Sequence, residues 1–289
     1  MGFQLHRPDS VGAAIALARE LGPEARYLAG GTDLIIQINR KRCAPGPLIA
    51  LDRIAGLSGV AAGDGVIAIE AMTTLKTIER HPAFAGPLGA LAEAARVVGG
   101  HQIRNVATIG GNIVNASPAA DLVPVLLALD AEVELAGPAG ARRLPLGHFL
   151  RGPGVTAREP GEVLLRVAFA RSPAQTATAF IKAGRRRAME ISLVCIAAFL
   201  ALDGEDRCLE ARIALGAVGP TAWRATRAEE LLRGGEASMA AFRAAGAAAA
   251  ADCAPIDDVR ASVEYRRRLV AALVPRALQH CRQRIAGGR

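Results

Sequence analysis

Two stretches of this chain break on a Gly-Gly pair and go on with small polar residues, "YLAGGTDL" over 27–34 and "ATIGGNIVNASPAADLVP" over 107–124. Glycine lacks a Cβ, so such a pair lets the backbone turn sharply or lie close against something else. Successive N–H groups in a turn of this kind also form a nest for phosphate oxygens. A plain turn satisfies the same residues, and both alternatives stand at this level. Neither stretch matches G-x-G-x-x-G or G-x-x-x-x-G-K-[ST], so a dinucleotide bound here is held by a fold other than the Rossmann or P-loop type. Thr32, Asn112 and Ser117 are available to add hydrogen bonds. Asp33 and Asp121 suit a sugar hydroxyl, a ring N–H or the loop's own backbone better than a pyrophosphate.

The 289 residues exceed one ordinary core of about 150, and at 51% hydrophobic they predict several subdomains. The charge of +8 comes from arginine, since the only lysines are Lys41, Lys76 and Lys182. Such a balance suits phosphate-bearing ligands or acidic partner surfaces. Aromatic residues make up 3% of the chain and do not interleave with the basic ones, which argues against nucleic acid. Cys43, Cys195, Cys208, Cys253 and Cys281 show neither C-x-x-C nor ferredoxin spacing, so neither zinc nor an iron–sulfur cluster is expected in this chain. The five histidines, His6, His81, His101, His148 and His280, are scattered, and no side chain is predicted as catalytic. The start lacks a signal-peptide core, and no uncharged run reaches the ~18 residues of a membrane helix. The expectation is a cytoplasmic protein with no membrane insertion.

Asp9 or Ser10 caps a predicted helix with the apolar face Val11, Ile15, Ala18 and Leu21, ended by Gly22-Pro23. A strand end, the first Gly-Gly turn and a second helix follow. Residues 48–54 and 63–74 supply strands, the latter turning on Asp64-Gly65, with Thr73 or Thr74 as the next cap. Leu88, Leu91 and Ala95 form a helical stripe ended by Gly99-Gly100, and a helix is predicted from Ala119 to Leu129. A hairpin around Gly137 to Gly140 and a strand over 161–170 lead to a linker at 171–178. Beyond it lie three strands, then helices near 225–233, 238–251 and 259–283, as in a separate α+β unit.

"YLAGGTDL" and "GGHQIRNVATIGGNIVNASPAADLVP" (99–124) resemble the two flavin-binding segments of the FAD (medium) subunit of molybdenum hydroxylases, the carbon monoxide dehydrogenase and xanthine dehydrogenase family. "EVLLRVAF" and "AFIKAGRRRAMEISLV" fit the same order. The resemblance implies an α+β fold: a PCMH-type, vanillyl-alcohol-oxidase-like FAD-binding domain in two α+β subdomains, 1–55 and 56–175. A C-terminal domain of the carbon monoxide dehydrogenase flavoprotein type, 178–285, follows. It further implies that Ala29, Gly30, Gly31, Thr32, Asp33 and Leu34, with Thr108, Ile109, Gly110, Gly111 and Asn112, line the FAD. The two Gly-Gly segments would bracket its pyrophosphate with their N–H groups. Asp121 is a further polar contact, and Val98, Leu164 and Lys182 fall close to the flavin. Asn115 and Ser117 are open between ligand contact and loop bracing.

Lys182 is open between a surface lysine and a positive charge beside the flavin ring. The run "GRRR" at 184–187 is open between a solvated face and a contact to a partner or a phosphate. Two departures stand out: no cysteine-bearing insertion of the hydroxybenzoyl-CoA reductase type is present, and Glu190 occupies a position where the family often has aspartate. The resemblance implies an electron-transfer subunit, with [2Fe-2S] centres in a small partner and molybdopterin in a large one. Electrons would leave the FAD to NAD, quinone or oxygen. The rival readings are a stand-alone flavin-dependent oxidoreductase acting on a small molecule and a non-catalytic module with a degenerate flavin site. The hydroxylated substrate, the final acceptor, the stoichiometry and the role of Arg185, Arg186 and Arg187 are not encoded in any motif of this chain.

Overall fold

The computed structural model describes residues 4–44, 46–63, 65–171, 175–186 and 189–287. Ser10 caps the first helix, Val11–Leu21, by accepting from the Ala13 amide at 3.2 Å, and Gly22 ends it at φ +76°. Val11, Ile15, Ala18 and Leu21 pack in one cluster with Ile49, Leu51 and Ile54. Leu48–Ala50 is the centre of a three-stranded parallel sheet, flanked by Leu5–His6 and Arg26–Leu28. Being covered, that strand is buried along its whole length.

A five-stranded antiparallel sheet follows, in the order Val60–Gly63, Val66–Glu70, Val163–Ala170, Glu132–Gly137, Gly140–Pro145. Alternation sets its faces. Ile67, Ile69, Val133, Leu135, Val167 and Phe169 enter the main core, while Val66, Glu132, Glu134 and Arg166 face outward. Gly137 and Gly140 pair across the predicted hairpin. Thr74 caps the helix Leu75–Arg80, accepting from the Thr77 amide at 3.1 Å. Asp64 lies outside the described residues. The helices Gly89–Arg96, Ile109–Val114 and Leu122–Ala128 cover the inner face, the last buried at every position.

One expectation is corrected and one element is added. Gly110-Gly111 is not a turn, because both glycines lie in the first turn of Ile109–Val114. A further short helix, His101–Val106, lies before it. Glycine is a poor helix former, but the Thr108 hydroxyl caps this helix, accepting from the Gly111 amide at 3.1 Å. Tertiary contact overrides propensity.

The third sheet is antiparallel, with Thr176–Ala183, Val194–Leu202, Cys208–Gly216 and a two-residue fourth strand, Trp223–Arg224, that the three-strand expectation lacked. Its first strand begins inside the predicted linker, of which 172–174 lie outside the described residues. All nine residues of Val194–Leu202 are buried, because the strand is covered on both faces. Cys195, Ala197, Phe199 and Ala201 join the main core, whereas Val194, Ile196, Ala198, Leu200 and Leu202 pack on the C-terminal helices. Those helices are Thr226–Glu230, Met239–Asp252 and Val263–Gly287. Within the last, Pro275 has no N–H to give the Ala271 carbonyl. Gly246 of the neighbouring helix sits against that gap, where a Cβ would lie 2.8 Å from both Ala271 O and Pro275 Cδ.

Gly246→Val therefore overpacks this helix crossing and is expected to cost about 1–3 kcal/mol, read as a lower midpoint in a denaturant melt. A second outcome concerns acid. Asp258 accepts from the amides of Arg260 and Ala261 and from the Arg260 and Arg266 guanidiniums, at 2.8–3.2 Å. Desolvation raises its carboxyl, but these donors outweigh it and hold the pKa at about 2. A depressed carboxyl contributes stability that is complete above its unfolded value of ~3.9 and is lost as pH falls through the folded one. The gap in melting midpoint between the natural chain and Asp258→Asn should thus shrink from pH 5 to pH 2.

Candidate functional site

The two glycine-bearing segments meet. A Cβ on Gly30 would collide with the Val106 carbonyl and stand 3.1 Å from Ala107 Cα, so this position admits only glycine. Gly31 adopts φ +71°, and the place of a Cβ on Gly111 lies 3.9 Å from Ala29 Cβ. Burial pushes the Asp33 carboxyl above its ordinary value, and the Asn115 side chain across the seam pulls it the other way. Ser117 braces its own turn, accepting from the Ala119 amide at 3.3 Å.

The amides sort differently from expectation. Those of Gly110 and Gly111 do not stand free: Gly110 donates to the Ala71 carbonyl at 2.8 Å and Gly111 to Thr108 Oγ1 at 3.1 Å. The Asn112 amide donates to the Thr108 carbonyl at 3.0 Å. Gly110 is fixed by packing as well, since its Cβ would come 2.7 Å from the Ala71 carbonyl oxygen. The first segment is the open one. Among the described residues the amides of Gly31, Thr32, Asp33 and Leu34 have no protein acceptor, and Asp33 makes no side-chain cap. Across the seam, Asn112 Oδ1 is buried and, among the described residues, has no hydrogen-bond partner. A buried acceptor without a donor costs about 1–3 kcal/mol. Four free amides and an orphaned acceptor on apposed segments suit a ligand that carries both anionic oxygens and hydroxyl or N–H donors.

Beside the seam, Arg104 of "QIRN" is 5% exposed. Its guanidinium donates to Glu79 Oε2 at 3.0 Å and to the carbonyls of Val98 and Gly99 at 3.3 and 3.4 Å, and it lies 3.1 Å from His101 Nδ1. Burial raises the Glu79 carboxyl, yet Arg104 and Lys76 more than offset this and hold it below its usual range. The fork thereby fixes the Val98–Gly100 turn, a role that sequence reading missed although the motif had singled the residue out.

A third junction is made by Lys182. Its ammonium donates to Asp121 Oδ2 at 2.7 Å and to the Val97 carbonyl at 3.3 Å. Ser192 Oγ donates to Asp121 Oδ1 at 2.5 Å. Asp121 is 5% exposed, and burial pushes its carboxyl up against the ammonium and the hydroxyl. Lys182 is therefore no solvated surface lysine. Three residues before Asp121, the Pro118 carbonyl accepts the Ala217 amide at 2.8 Å. "SPAAD" thus meets the third sheet at Lys182 in the strand Thr176–Ala183 and at Ser192 and Ala217, which lie just outside the strands Val194–Leu202 and Cys208–Gly216.

The structure therefore brings Gly30–Leu34 together with Thr108–Asn112, and Val98 near Asp121 and Lys182. Ile109 and Leu164 are instead core side chains, at 0% and 5% exposure, so they can offer only their backbone to a ligand. Arg186 pairs with Glu190 at 2.9 Å and Arg185 donates to the Val259 carbonyl, so these arginines brace a loop, and Arg187 lies outside the described residues. Among the described residues no group of three His, Cys, Asp or Glu side chains is arranged to hold a metal, and no helix is long and apolar enough to cross a membrane.

Comparison with known proteins gives the following. The family model described as an FAD binding domain in molybdopterin dehydrogenase matches residues 1–171, and that of a CO dehydrogenase flavoprotein C-terminal domain matches 179–281. The chain is 33% identical to the carbon monoxide dehydrogenase medium chain of Hydrogenophaga pseudoflava, over 96% of both. It is also 33% identical to subunit alpha of the 6-hydroxypseudooxynicotine dehydrogenase complex of Paenarthrobacter nicotinovorans, over 93% of this chain and 91% of that one. A solved carbon monoxide dehydrogenase from Hydrogenophaga pseudoflava superposes with a TM-score of 0.94, at 33% identity over 98% of each chain.

Replacing Arg104 by Met removes the fork that reaches four acceptors and is expected to cost about 2–4 kcal/mol in a urea melt. Arg104→Lys should recover less than half of this, because an ammonium cannot span the same set.

Proposed function

This chain belongs to the FAD-binding medium subunits of molybdenum hydroxylases, the carbon monoxide and xanthine dehydrogenase type, and on that premise we propose how its residues serve electron transfer. It is a subunit of a flavin-dependent oxidoreductase. When bound, FAD supplies the redox chemistry that links [2Fe-2S] centres of a small partner subunit to an external acceptor, NAD, quinone or oxygen. The substrate is oxidised at molybdopterin in a large partner subunit, so this chain needs no acid–base side chain of its own.

The observation that carries this is the pair of apposed segments, one with four acceptor-free amides and the other with the orphaned Asn112 Oδ1. The residues present fit the dinucleotide. The amides of Gly31 to Leu34 would hold pyrophosphate oxygens. Asn112 takes a hydroxyl or N–H of the cofactor, and Thr108 sets the helix that presents it. Gly30 and Gly110 contribute by letting the two walls close, not by their own contacts. Val98, beside the carbonyls that the Arg104 fork and the Lys182 ammonium fix, would lie close to the flavin, with Asp121 holding that ammonium. We assign residues 1–55 and 56–175 to the two halves of the cofactor domain and 178–285 to the domain that closes it.

The full chain freed of flavin should bind FAD with a yellow absorbance. Asn112→Leu should weaken that binding about tenfold or more while leaving the melting midpoint of the flavin-free chain unchanged or higher, since an unpaired buried acceptor is removed. Failure of the natural chain to take up FAD, alone and with its partners, would falsify the assignment. Glycine variants do not serve here, because Gly30 and Gly110 are required by packing whether or not a cofactor binds. Co-purification of the complex, followed by metal and flavin analysis, tests the partner subunits.

A further inference from the structure

We infer that Ser192 is a positioning residue for the flavin: through Asp121 and Lys182 it locks the third sheet onto the wall of the cofactor site. This rests on the chain holding FAD as proposed above. Ser192 lies just before the strand Val194–Leu202, 2% exposed, and Asp121 lies at the end of "SPAAD", in a different sheet-and-helix unit. Their side chains meet at 2.5 Å, and Lys182 of the adjacent strand holds the second carboxylate oxygen at 2.7 Å. The same ammonium reaches the Val97 carbonyl, next to Val98. Its third N–H has no acceptor among the described residues.

The arrangement works as a relay of fixed distances. A buried carboxylate needs a donor on each oxygen, and Asp121 has one donor on each. Without the hydroxyl, Oδ1 is stranded, and the carboxylate recovers a second donor only by rotating to share the ammonium. That rotation draws Lys182 away from Val97 and leaves the carbonyl wall beside Val98 held by Arg104 alone. Close packing at the same joint keeps other solutions out: a Cβ on Gly216 would meet Cys195 Sγ at 2.5 Å and Pro124 Cγ at 2.9 Å. The wall therefore depends on a hydroxyl that belongs to neither cofactor motif.

The test compares Ser192→Ala, Ser192→Thr and Ser192→Val in the full chain, each freed of flavin and titrated with FAD by fluorescence quenching. Thr and Val share one shape and differ in the hydroxyl, so crowding at this buried position affects both alike. The expected result is that Ala and Val weaken FAD binding about five- to tenfold, while Thr stays within about twofold of the natural chain. The bound flavin's visible band should change shape in Ala and Val only. Equal FAD affinity in the Thr and Val variants, whatever their melting midpoints, overturns the inference and leaves FAD binding itself intact. Loss of binding in the natural chain removes the inference together with its premise.

Discussion

Backbone lies on backbone where Gly30 faces the carbonyl of Val106, and the proposed cofactor site depends on that approach. A side chain at residue 30 would part the two segments. Glycine here is a requirement of protein against protein. The same holds at Gly110 against Ala71. The acceptor-free amides of residues 31–34 and the orphaned Asn112 oxygen lie on the two segments that this approach brings together.

Buried charge marks each joint of the molecule. Arg104 holds the Val98–Gly100 turn, Lys182 holds Asp121 and Val97, and Arg266 donates to the carbonyls of Leu193 and Ala217. In all three a long cationic side chain ends on main-chain carbonyls as well as on a carboxylate. Such groups contribute little net stability relative to apolar replacements, but breaking one partner is costly, so they fix one geometry among several that an apolar core would tolerate. The arginine excess of the sequence is thus partly internal. It does not all serve partners or phosphates, and Arg185 and Arg186 also end on neighbouring loop atoms.

Much of the architecture was legible residue by residue. Ser10 and Thr74 are caps because their hydroxyls precede apolar helical runs, and the unbroken apolar stretch Val194–Leu202 is a strand covered on both faces. The two glycine segments identified the family. The use of their atoms was not legible. "TIGGN" has low helix propensity, and only the Ala71 carbonyl and the Thr108 cap, supplied in three dimensions, make it a helix whose first amides are already bonded. Ile109 and Leu164 stood near the flavin by resemblance, yet their side chains belong to the core.

Local sequence determined the elements, the family and the residue types of the cofactor site, because caps, alternation and glycine breaks act over a few neighbouring positions. Tertiary structure alone decided which amides remain free, that Asp121 is shared between Lys182 and Ser192, and that Asn112 lacks a donor. The physical reason is that a hydrogen-bonding group is open or closed according to what the fold brings within about 3 Å of it. Ser192 and Asp121, 71 positions apart, carry no mark of each other in the chain.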